Sequence, residues 1–163
     1  MLHWLQNSAY ADWVRTSWGW PIALTIHAFG MATVCGLMLI IGLRLFGLFR
    51  SIPMTSLNKF FPFIWFGVVF QFISGFTLWM TKPADYLGDV VFDIKFSLVI
   101  IGVVTSWYFQ KYLLREVDGW QSAGVVSKRG LQFTGLVCFV WAFVIITGRL
   151  TAYLGTLYSG SGS

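Results

Sequence analysis

The chain has 163 residues, of which 57% are hydrophobic and only 10% charged, and its mean hydropathy is +0.74. A soluble domain carries about a quarter of its residues as Asp, Glu, Lys and Arg, so the composition excludes an ordinary water-soluble fold and implies a single integral membrane domain. The net charge of +5 does not point to nucleic acid, because the basic residues fall in short links between apolar runs, where they act as orientation signals.

Residues 2–17 place Leu2, Leu5, Ala9, Trp13 and Val14 among polar positions, a spacing that predicts a short amphipathic helix in the membrane interface. The first 20 residues lack the basic and uninterrupted apolar regions of a signal peptide, so the first span is expected to be its own insertion signal. That span is predicted over 21–43. Pro21 suits a helix start, Trp18 and Trp20 suit a headgroup boundary, and the uncharged run gives about 34 Å of helix, enough to cross a hydrocarbon core. A second span over 60–80 is crowded with Phe and Trp, and Ser74-Gly75 offers it a close approach to a neighbouring helix. The third, over 92–114, has Lys95 and Lys111 near its ends, where they must snorkel or pair. The fourth, over 130–154, holds Arg149 in its outer turns. The domain is thus taken as 1–158, with 159–163, SGSGS, as a linker or tag remnant.

Seven of the eleven Lys and Arg flank links one and three, and Asp85, Asp89 and Asp93 make the second link acidic. The positive-inside rule then predicts a multi-pass protein of a bacterial inner membrane with both termini periplasmic. Links of this length predict an all-α, up-down four-helix transmembrane bundle with a short N-terminal interfacial helix. The lipid bilayer is its first partner, and a homo-oligomer or larger membrane complex its second. Cys35 and Cys138 lie in apolar spans and are read as small buried side chains.

His27, Lys95 and Arg149 are the ionisable residues predicted at one outer depth, each roughly 5 to 9 Å below a helix end. Such residues mark functional sites because charge inside a bilayer is costly. His27 can ligate a metal, and Lys95 and Arg149 can hold carboxylates such as haem propionates. The competing expectations are that His27 is a polar residue bonded to a neighbouring helix, that Lys95 snorkels or pairs with Asp93, and that Arg149 is an outer anchor. His27, Met31, Cys35 and Met38 also share one helix face within an arc of about 80°, and their donors suit Cu(I). Met and Cys at this spacing equally fill a core. Gln71, Ser74, Thr77, Thr105 and Ser106 are expected to hydrogen-bond between helices. A second haem histidine would have to be His3, in the interfacial segment. No phosphate loop, CxxC or HExxH motif is present, and no catalytic residue is assigned.

The segments PIALTIHAFGMATVCGLMLIIGLRLFGL, FDIKFSLVIIGVV and ITGRLTAYLG resemble a family of bacterial four-span integral membrane proteins of unknown function. The matching features are Trp18 to Pro21, His27 with Gly30, Leu43 to Leu48, Lys95, and Gly148-Arg149; an acidic residue often seen in that family is Gly42 here. More distantly, His27 and Lys95 are similar to positions in HemJ-type protoporphyrinogen oxidases, which implies haem b, and the layout is similar to CopD-type copper-resistance proteins, which implies copper. Three functions are therefore weighed: a membrane protein binding haem b through His27 for electron transfer, a copper or small-solute handling protein, and a non-catalytic structural subunit of a membrane complex.

Overall fold

The computed structural model describes residues 4, 7–81, 83 and 90–159, with the exception of the side chains at 91 and 149–159. Among the described residues five α-helices follow one another: α1 (Ala9–Thr16), α2 (Gly19–Leu45), α3 (Phe61–Thr81), α4 (Val90–Ala123) and α5 (Lys128–Ser159), with a 3-10 turn over Met54–Phe60 before α3. No strand occurs among the described residues. Four of the described helical stretches are long and apolar enough to cross a membrane: Gly19–Leu45, Met54–Thr81, Phe92–Ala123 and Lys128–Gly148.

Local chemistry sets the helix ends. Ser8 caps α1 by accepting from the Ala11 N–H at 3.2 Å, which satisfies one of the orphan donors of a first turn. The described helix is shorter than the predicted 2–17; Leu2 and Leu5 lie outside the described residues. Its buried face is Ala11 and Val14, while Trp13 is exposed. Ala9 and Trp13 therefore do not join Val14 on an inward face, which fits an indole placed for the interface rather than for a core. At the other end of α2, Gly47 adopts φ +98°. The Gly47 N–H donates to Arg44 O and the Leu48 N–H to Leu43 O, the paired bonds of a Schellman motif in which glycine takes the left-handed position. Arg44 is buried, and its Nε donates to Ile52 O, pinning the link that follows.

α4 runs nine residues beyond the predicted end at Leu114. Charge in Arg115, Glu116 and Asp118 made that stretch look like a link, yet Arg, Glu and Gln are good helix formers and carry the helix out of the apolar run. It stops where Gly124 takes φ +68°. Ser127 then caps α5, accepting from the Gly130 N–H at 3.1 Å.

The helices form two compact units, one of Met1–Gly36 with Pro62–Asp89 and the other of Leu37–Phe61 with Val90–Ser163. In the first unit α2 and α3 run antiparallel and meet at glycines. A Cβ on Gly30 would lie 3.0 Å from Gly67 O, and one on Gly67 would lie 2.9 Å from Val34 Cγ2. Only bare Cα atoms permit that approach, the small-residue packing of membrane helices. α1 is tied to α3 by Tyr10 and Thr77, whose hydroxyls are 3.3 Å apart, and by Arg15, which donates to Thr81 O and pairs with Asp12.

In the second unit α4 and α5 form an antiparallel hairpin keyed by tryptophan on glycine. The Trp120 ring covers Gly130, and the Trp141 ring lies against Gly102. Trp141 Nε1–H also donates to Ser106 Oγ at 2.9 Å, which satisfies a buried indole. Phe109 packs edge-on to Phe133 at 5.5 Å. Met54 N–H donates to Gln121 Oε1 at 2.7 Å, fastening the 3-10 turn to the end of α4.

Candidate functional site

His27 projects from α2 toward α3 inside the first unit. Its ring rests on Gly75, where an added Cβ would lie 3.2 Å from Cε1, so the close approach expected at Ser74-Gly75 is a seat for this imidazole. Gln71 Nε2 is 2.9 Å from His27 Nε2, and Ser74 Oγ is 3.1 Å from Nδ1. Gln71 and Ser74 are one helical turn apart, so both face the ring from one side of α3.

With the Gln71 amide placed NH2 toward the ring, the donor inventory assigns the proton. An amide NH2 can only donate, so His27 Nε2 must accept and carries no hydrogen. The Ser74 hydroxyl has one proton and donates it to Phe70 O at 2.6 Å, so Nδ1–H donates to Ser74 Oγ. The result is a directed chain from the Gln71 amide through a neutral imidazole and the serine to a backbone carbonyl. Gln71 Oε1 is buried without a hydrogen-bond partner, and Gln71 is buried as a whole at 9% exposure.

Lys95 is half-buried on α4, in the other unit from His27. It makes no ion pair with Asp93, because residues two apart on a helix point away from one another. Arg149 lies on α5, with its side chain outside the described residues, as do His3, Asp85 and Asp89 entirely. Met31 and Cys35 are half-buried and Met38 is buried. Both cysteines are free thiols. Cys138 fills a notch: a Cβ on Gly42 would lie 2.6 Å from its sulfur. Gly42 is the position where the resembling family often has an acid, and here the sulfur takes the space such a side chain needs.

The chain matches no family model, no curated protein and no solved structure. The resemblances to the four-span family and to HemJ-type and CopD-type proteins therefore have no support beyond the residues that suggested them.

Haem and copper can be tested against these residues. An axial bond to haem iron needs one imidazole nitrogen facing an open plane. Here Nε2 faces the Gln71 amide, Nδ1 faces Ser74, and the ring lies on the α3 backbone at Gly75. The site as arranged does not fit a porphyrin. For copper, the eight helical steps from His27 to Cys35 separate them by about 12 Å along α2, too far to share one ion. No group of three His, Cys, Asp or Glu residues suited to a metal occurs among the described residues.

Gln71, Ser74, Thr77 and Ser106 were expected to bond between helices, and each has such a partner: His27 for the first two, Tyr10 for Thr77 and Trp141 for Ser106. Thr105 instead donates only to Ile101 O and Gly102 O of its own helix. The Gly30 and Gly67 crossing was not anticipated, although glycines inside both spans were a usable signal.

Proposed function

We propose that the chain is a multi-pass integral membrane protein, an up-down bundle of four spans, that serves as a non-catalytic helical subunit of a membrane assembly. His27 acts in it as a polar tie between helices rather than as a cofactor ligand. The observation that carries this reading is that both ring nitrogens of His27 are engaged by Gln71 and Ser74. The surface agrees with it: only 17% to 33% of each candidate span is buried by the chain itself, which leaves apolar faces for lipid and neighbouring helices. The basic first and third links support a cytoplasmic side for that end of the bundle, in a bacterial inner membrane.

The test is the protein purified from cells supplied with haem precursor and copper. It should be colourless and copper-free, and migrate on native gels as a complex heavier than its 18.5 kDa. A Soret band that disappears in His27→Ala would select the electron-transfer function instead. Stoichiometric copper lost on changing Met31 and Cys35 together to Leu would select the copper function.

A further inference from the structure

A cavity of about 620 Å³ opens on the α4–α5 hairpin, lined by Thr105, Tyr108, Lys111, Tyr112, Arg115 and Phe133. It is an open groove rather than an enclosed pocket. Its two cations are exposed and have no carboxylate within ion-pair distance among the described residues, and neither Glu116 nor Asp118 lines it. Lys111 Nζ sits 3.5 Å above the Trp107 ring, a contact that holds the ammonium in place while leaving its hydrogens free to donate. Tyr112, whose hydroxyl is 3.4 Å from Ser127 Oγ, also lines it.

The residues lining the cavity are graded along the helices. Lys111 and Arg115 are about 29 and 35 Å along the helix from Phe92, the far boundary of a hydrocarbon layer about 30 Å thick. Thr105 is about 9 Å deeper than Lys111, and Phe133 about 8 Å inside the start of α5. Paired cations at the headgroup level above an apolar and aromatic floor match a molecule with an anionic phosphate at one end and a hydrocarbon chain at the other. We infer that this cavity is a binding site for an anionic phospholipid of the leaflet facing links one and three, its phosphate held by Lys111 and Arg115 and its acyl chain lying along Thr105, Tyr108 and Phe133. The inference rests on the membrane reading proposed above.

Native mass spectrometry of the full chain in dodecylmaltoside, titrated with dioleoylphosphatidylglycerol or dioleoylphosphatidylcholine, tests it. The wild type should retain phosphatidylglycerol preferentially, and Lys111→Gln and Arg115→Gln should each reduce that preference about five-fold, the effect of one cation near an anionic surface. Thr105→Phe, which fills the floor and leaves both charges, should lower retention too. The control Arg50→Gln with Lys59→Gln removes twice the charge of either variant elsewhere and should leave the preference intact. Equal binding of the two lipids, or equal losses in the control, would overturn the site. Displacement of the lipid by millimolar inorganic phosphate would overturn it in favour of a free anion. A chain washed from membranes by alkaline carbonate would overturn the membrane reading itself, which separates that failure from failure of the site.

Discussion

The two units solve helix association differently. In the first, α2 and α3 come together at Gly30 and Gly67 and are then locked by His27, Gln71 and Ser74. In the second, α4 and α5 are held by Trp120 and Trp141 lying on Gly130 and Gly102, with one indole hydrogen bond. Hydrocarbon gives apolar helices little reason to prefer one another to lipid, so shape and hydrogen bonds must do so. Glycine supplies the notch in both units; the filler is backbone and a polar triad in one, an aromatic ring in the other. A polar tie is directional and specifies register, whereas a ring in a notch gains its stability from contact area.

Removing a ring should do the greatest damage. Trp141→Ala leaves a large cavity and an unpaired Ser106 hydroxyl, and should destabilise the detergent-solubilised protein by about 3 to 5 kcal/mol in thermal or SDS unfolding. Trp141→Phe should cost less, since most of the ring remains. Overfilling the first unit comes next. Gly30→Val drives its side chain into Gly67 O and the Gln71 N–H, backbone atoms that cannot swing aside, at about 1 to 3 kcal/mol. Unchanged unfolding in Gly30→Val would mean that the two helices do not meet there.

The polar tie is weaker. A double-mutant cycle of His27→Ala and Gln71→Leu should give a coupling of about 0.6 to 1.7 kcal/mol, the range of hydrogen bonds between membrane helices. Additive losses would show that the two side chains do not interact. The smallest effect belongs to the Gly42 notch. Gly42→Ala should cost about 1 kcal/mol against Cys138, and Cys138→Ala should restore stability in the double variant. No restoration would indicate that the sulfur does not occupy the notch.

The four long apolar helices were legible because uncharged runs such as Pro21 to Leu43 allow few alternatives. The end of α4 was hidden because Arg115, Glu116 and Asp118 look alike whether a helix leaves the membrane or a link begins, and only the φ of Gly124 decides. The importance of His27 could be read from its isolation in an apolar helix, but its role could not. A histidine awaiting a metal and a histidine tied to a neighbouring helix have the same spacing, and the distinction lies in Gln71 and Ser74, 44 and 47 residues away. Lys95 and Asp93 failed to pair because proximity in sequence is not proximity on a helix.

The state of the His27 ring is measured most directly by nitrogen-15 NMR of histidine-labelled protein, with His3→Gln removing the other of the chain's two histidines. The expected spectrum is that of a neutral imidazole protonated at Nδ1, with Nε2 accepting a hydrogen bond that is lost in Gln71→Leu. A ring protonated at Nε2 and indifferent to Gln71, or a resonance broadened by a bound iron, would contradict the assignment of His27 as a tie between helices.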